Sequence, residues 1–204
     1  MDARDMVAVE GRTLTTARLT IRPWDLQDVP AALAVYGDVG VARWLTPAMH
    51  EISDTTAMRD QLDIWLREND TLPDPAGRWA ITLRDSRAVV GGVALLPLPP
   101  ARIDLEIGVQ LAPAAWGGGL GAEAGHAVAH YAFGNGIDEL FAVARPRNHR
   151  AAAMARRIGM RWVGETEKYY GLNLQIYRLR KGDLDSPDLA DEHTSGLDDD
   201  ILGG

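Results

Sequence analysis

Cysteine is absent from all 204 residues, so disulfides, thiolate zinc sites and any cysteine nucleophile are excluded. Long apolar runs are absent too. No stretch approaches the ~18 residues needed to cross a bilayer, and the opening MDARDMVAVEGR has no basic-then-apolar leader pattern. The expected address is the cytoplasm. An excess of positive charge is also missing. Eight of the 29 acids lie between Asp183 and Gly204, where there is no Lys or Arg, which leaves 21 acids against 21 bases in the remainder despite a formal net charge of −8. A neutral body offers no nucleic-acid footprint, and DLDSPDLADEHTSGLDDDILGG reads as a solvated acidic extension.

What is present suits one core. Hydrophobic residues make up 46% and charged residues 25% of the chain, inside the usual range for a globular protein. The expected division is an irregular N-terminal segment over 1–13, a single domain over 14–182 and the acidic tail over 183–204. LTTARLTIRPW, Leu14 to Trp24, alternates with the period of a half-buried strand. Asp25 is placed to cap a helix from Leu26 to about Tyr36, Gly37 and Gly40 break the chain beyond it, and a second helix fits Ser53 to about Glu68. RWAITLR, AVVGGVALLPL and RIDLEIGVQL read as an antiparallel meander. A helix to about Phe133, the strand LFAVARP, the helix NHRAAAMARRIG and the strands MRWVGETEKYY and LNLQIYRLR complete a mixed α/β order rather than a regular βαβ array.

The segment WGGGLGAEAG, residues 116–125, stands at the entry of the helix after the meander. Glycine there costs backbone entropy. The first N–H groups of a helix lack partners and carry partial positive charge, so a loop without Cβ atoms at 117–119 and 121 can let a phosphate reach them. Gly119, Gly121 and Ala124 also fit a GxGxxA pattern, but the antiparallel context and the position of Asp138 and Glu139 argue against a dinucleotide fold. No Lys-Ser or Lys-Thr pair comes after the glycines, which excludes a Walker loop.

LEIGVQLAPAAWGGGLGAEAGHAVAHYAF followed by RPRNHRAAAMARRIGMRWVGE resembles the core of the GNAT N-acetyltransferases, within them the RimJ/RimL-like group, and the likeness runs from about Leu14 to Leu179. It implies a mostly antiparallel sheet of about seven strands, splayed between the fourth and fifth. It further implies that acetyl-coenzyme A is bound as cosubstrate, its pyrophosphate on backbone N–H groups at Gly117, Gly118, Gly119, Leu120, Gly121 and Ala122. Trp116 occupies the first position of the loop motif. Val109, Gln110 and Leu111 would meet the pantetheine arm as a pseudo-strand, with backbone N–H groups near Val109 facing the oxyanion, and Asn148 matches the family asparagine that holds that arm. Ala151 replaces a common serine, and Ala155 stands where many relatives have a tyrosine.

An alkyl amine has a pKa near ~10, so acetyl transfer to it needs a base. Glu106 is the candidate: the resemblance puts the family base there, and strand alternation turns it away from Leu105, Ile107 and Val109. Tyr169 and Tyr170 are candidate pocket residues, read as strand aromatics, and Trp44 and His50 fall where this fold shapes its acceptor cleft. His126 and His130 have a zinc-compatible spacing but no apparent third ligand, so no metal is expected. The expected partner is a small-molecule or peptide amine, with no nucleic acid and no membrane; a homodimer is left open. A catalytically silent CoA-binding module and, more remotely, a nucleotide-binding oxidoreductase are the competing readings.

Overall fold

A computed structural model describes residues 7–50, 52–100 and 103–184. Most of the acidic tail, from residue 185 onward, lies outside them. Nine strands form one sheet in the order β1-β2-β3-β4-β5-β6-β7-β9-β8: β1 Ala8–Glu10, β2 Thr13–Thr15, β3 Leu19–Pro23, β4 Gly77–Leu83, β5 Val89–Pro97, β6 Leu105–Leu111, β7 Glu139–Ala144, β8 Arg161–Thr166 and β9 Leu174–Arg180. Five α-helices accompany it: α1 Val29–Tyr36, α2 Val39–Leu45, α3 Thr55–Asn69, α4 Leu120–Gly134 and α5 His149–Ile158.

The count exceeds the expected seven for two reasons. Residues 8–10, expected to be irregular, pair with β2. The run from Leu14 to Trp24, expected as one strand, is broken at Thr16, whose backbone N–H bonds the Leu19 carbonyl at 2.9 Å and whose hydroxyl accepts from the Leu19 N–H at 3.0 Å. A further difference is α2. Gly37 does end α1, but Asp38 then starts a new helix by accepting the Gly40 N–H at 2.8 Å, and a good cap outweighs a single helical glycine.

The sheet buries both faces by alternation. On one face Leu19, Ile21, Trp79, Ile81, Val93 and Ile107 pack with the alanine-rich stripe of α4 and with α5. On the other, Ala80 meets Trp24, Val35, Tyr36, Met58, Leu62 and Trp65 from α1, α3 and the turn before them. Tyr36 and Trp65 meet edge-to-face at 5.0 Å. Gly92 makes this second core possible, since a Cβ there would stand 2.2 Å from the Tyr36 hydroxyl oxygen.

All strand pairs are antiparallel except β6 and β7, which run parallel and register only at Glu106 opposite Phe141. β6 is paired with β5 along its whole length, from Leu105 opposite Pro97 to Leu111 opposite Gly91. Beyond residue 106 the other edge of β6 therefore parts from β7. This is the splay expected between the meander and the later strands, and it opens a cleft.

Candidate active site

The cleft has a volume of about 560 Å3 and is lined by β6, the glycine loop, the start of α4, β7, α5, the α2 end and the turn before β9. Its donor side is built by three glycines with separate tasks. Gly117 and Gly119 hold φ at +87° and +75°, in the left-handed region, and the space around their absent Cβ atoms is nearly open. A side chain at either would be strained by the backbone alone. Gly121 differs. Its missing Cβ points at Met154 Sδ, 3.1 Å away, and at Leu111 and Val109, so this glycine, which also lines the cleft, brings α4 close to α5 and β6. Gly118 does not line the cleft; its carbonyl accepts from Arg18 at 2.8 Å.

Arg18 and Glu123 brace this loop. Glu123, in the first turn of α4, accepts from the Arg18 side chain at 2.6 Å, from the Arg18 backbone at 3.0 Å and from the Thr16 hydroxyl at 2.5 Å. Burial alone raises a carboxyl pKa, but here these bonds and the Arg18 charge outweigh it and hold Glu123 below its ordinary value. Trp116 fastens the other end. Its indole N–H donates to the Leu111 carbonyl at 2.9 Å, and the Arg150 guanidinium lies 4.0 Å over its ring.

Behind this brace, α4 begins without a side-chain cap, its Ncap being Gly119. Helices α2, α3 and α5 each have one, from Asp38, Asp54 and Asn148. The α4 start is thus a set of backbone donors and a positive helix end facing the cleft, which suits a diphosphate. Asn148 also lines the cleft, although its Oδ1 accepts from Ala151 N–H at 3.2 Å and serves as the α5 cap. Val109, Gln110, Leu111, Leu120 and Ala122 border the same space.

Glu106 sits where β6 and β7 begin to part. Leu105, Ile107 and Val109 pack with the main core, so alternation turns Glu106 to the opposite face. Burial pushes its carboxyl up to about 7, against the lowering effect of hydrogen bonds from the Tyr170 hydroxyl and the Val143 N–H. Tyr170 donates to Oε2 at 2.9 Å, and its own pKa is raised, by burial first and then by the Glu106 charge. A carboxyl poised near neutrality inside a cleft can take a proton from an amine and release it again.

Four residues were expected on the acceptor side. Trp44 and Tyr170 line the cleft; His50 and Tyr169 do not. His50 is exposed just past the α2 turn. Tyr169 is 7% exposed and packs with Leu98 and Leu174. Both tyrosines lie in the turn after β8, which ends at Thr166, rather than in a strand. Because the two side chains of a turn diverge, one tyrosine packs and the other reaches Glu106. Arg18, Glu123, Arg145 and Arg150 escaped the sequence reading; their partners lie far away in sequence or were unreadable from charge alone. The rings of His126 and His130 lie 5.3 Å apart on α4, tilted by 58°, and among the described residues no group of three His, Asp or Glu could hold a metal. No helix among the described residues is long and apolar enough to cross a membrane.

Comparison with known proteins agrees with this geometry. Residues 18–161 match the family model described as the acetyltransferase (GNAT) domain. The chain is 24% identical over 170 residues to the uncharacterized N-acetyltransferase p20 of Bacillus licheniformis, covering 81% of this chain and 93% of that one. Its fold is similar to a GNAT-family acetyltransferase from Bacillus anthracis, with TM-score 0.69 and 19% identity over 82% of this chain and 98% of the other. It is similar as well to RimL, a ribosomal L7/L12 α-N-protein acetyltransferase solved in complex with coenzyme A, with TM-score 0.66 and 18% identity over 81% and 95% of the two chains. A splayed sheet, an uncapped helix start behind left-handed glycines and a family match across most of the domain lead to one conclusion: the chain is an acetyltransferase and belongs to the GNAT family.

Proposed function

We propose that the protein is an acetyl-CoA-dependent N-acetyltransferase of RimJ/RimL-like type that acetylates a primary amine by direct attack in a ternary complex. The observation that carries this reading is a single cleft with an uncapped helix start at one side and Glu106, its carboxyl raised to about 7, at the other. Gly117, Gly119, Leu120 and Ala122 would hold the diphosphate of acetyl-CoA, and the free edge of β6 from Val109 to Leu111 would hold its arm. When bound, the thioester supplies an acyl group activated for attack by nitrogen.

The chain's own residues supply the rest. Glu106 accepts the amine's proton as the N–C bond forms and the thioester C–S bond breaks, directly or through water. Backbone N–H groups near Val109 meet the charge that develops on the carbonyl oxygen. Tyr170 holds Glu106 in place, and its hydroxyl, on the cleft lining, would supply a proton to the departing sulfur. With no cysteine in the chain, acetyl does not pass through an enzyme thiol.

The competing reading, a silent CoA-binding module, draws on Ala155 at the position where many relatives have tyrosine. Tyr170 weakens it by bringing a hydroxyl to the base from another element. A panel of amines with acetyl-CoA, followed by thiol release with a disulfide dye, tests the proposal: transfer that disappears in Glu106→Gln supports it, and intact CoA binding with no transfer to any amine favours the silent module.

A further inference from the structure

Arg145 comes directly after β7 and lines the cleft, half-buried. One of its terminal nitrogens donates to the Thr46 carbonyl at the end of α2, so its side chain spans from one wall of the cleft to the other. Its Nε is buried and has no hydrogen-bond partner. Among the described residues only Arg12 shares that condition, and Arg12 is placed differently: it lies against Trp79, bonds the Asn69 and Ala76 carbonyls, pairs with Asp74 and does not border this cleft. No carboxylate among the described residues comes within ion-pair distance of Arg145.

A guanidinium that has lost water on one side, with a donor unused and no counter-charge among the described residues, favours an anion that can take that donor. The position fits an acceptor. Val143 N–H is close enough to the Glu106 carboxylate to lower its pKa, and Arg145 stands two residues further along the same chain, ~6.6 Å on in extended backbone, and lines the same cleft. The other basic side chains of the cleft, Arg150, Arg157 and His149, are exposed on α5.

We propose that Arg145 determines acceptor specificity by binding a carboxylate of the acceptor, so that the substrate is an amino acid or a similar amine carrying a carboxylate a few bonds from its nitrogen. This rests on the amine-acetylating reading and narrows it. With the amine nitrogen at Glu106, the carboxylate completes the guanidinium between the two walls.

The test uses matched acceptors: the common amino acids, their amides and their decarboxylated amines, each with acetyl-CoA and the wild-type protein, scored as kcat/KM. The best acid is expected to exceed both its amide and its decarboxylated counterpart at least tenfold. In Arg145→Met the ratio is expected to fall to about one through KM for the acid, and Arg145→Lys to restore part of it. Coenzyme A binding by calorimetry and the thermal transition identify a variant that has lost its fold; if Arg145→Met is such a variant, the wild-type ratios and the Lys variant still decide. An amide or decarboxylated amine that matches or beats the acid overturns the carboxylate assignment alone. Absence of transfer to every amine overturns both this and the enzymatic reading.

Discussion

The Tyr170 hydroxyl lies 2.9 Å from Glu106 Oε2 and donates to it from a backbone held at φ +56°. A bulky residue in the left-handed region costs of order 1–3 kcal/mol and persists where surrounding structure fixes it. Here the turn before β9 is shaped to deliver one hydroxyl to one carboxylate, 64 residues away in sequence.

Removing that hydroxyl is expected to move the acid limb of the pH–rate profile. The Tyr170 bond lowers the Glu106 pKa, so in Tyr170→Phe the carboxyl titrates above its present value of about 7. The pH dependence of kcat/KM should then rise at higher pH than in the wild type, with kcat reduced about tenfold or more at neutral pH. An unmoved limb would mean that Glu106 is not the titrating base.

Glu106→Gln should separate activity from stability. The carboxyl has a higher pKa folded, about 7, than its ordinary 4.5, so folding favours the protonated form. That contribution is complete below pH 4.5 and is lost as pH rises through 7; at pH 8 the buried charge costs up to about 3 kcal/mol relative to a neutral group. The glutamine variant is expected to lose about 10²-fold or more in kcat, to melt near the wild type at pH 5 and to melt above it at pH 8. Denaturant titrations at the two pH values measure the difference.

The glycines of the loop and of α4 should not respond alike. Gly119→Ala places a Cβ at φ +75° with its nearest heavy atom 3.7 Å away, so the cost is conformational, about 1–2 kcal/mol, and coenzyme A affinity should fall as the helix start shifts. Gly125→Ala tests packing instead. Its Cβ would meet Ile158 Cδ1 at 2.4 Å, and overpacking of that kind costs about 1–3 kcal/mol. Calorimetry with coenzyme A and thermal melts on both variants separate the two effects.

Arg18→Ala should act on the donor side only. It removes the bond to the Gly118 carbonyl and the pairing with Glu123. The expected result is a rise of about three- to tenfold in KM for acetyl-CoA, with little change in KM for the amine. The Glu123 carboxyl is held below its ordinary value, so the brace is present at neutral pH and weakens as pH falls through that lowered value.

The fold was legible in the sequence to the extent that its signals are local. Period-two alternation marked the strand around Leu19 and Ile21, the runs RWAITLR, AVVGGVALLPL and RIDLEIGVQL marked the meander β4 to β6, and Asp25 announced a helix start. Asp38 carried an equally local signal, but the glycines at 37 and 40 masked it, so α2 went unread as a helix although Trp44 on it was expected at the acceptor cleft. Glu106 was named from the family resemblance, and strand alternation fixed its face. Tyr170 could not be distinguished from Tyr169, since a turn's dihedral angles, not its composition, decide which side chain turns inward. Arg18 and Glu123 meet across 105 residues, and Arg145 meets Thr46 across 99. Pairings of that separation leave no pattern in a single chain. The glycine loop was read as one device, whereas Gly117 and Gly119 hold left-handed backbone and Gly121, which also lines the cleft, packs α4 against α5 and β6.

Because β6 and β7 share a single register position, hydrogen bonding along the strands does little to fix how far apart the two slabs of sheet stand. That gauge is set from behind, where α4 and α5 meet through Gly121, Gly125, Met154 and Ile158. One methyl group added at Gly125 or removed from Ile158, neither of which lines the cleft, would widen or narrow the reaction space from behind, giving the scaffold a means of retuning for acceptors of different girth.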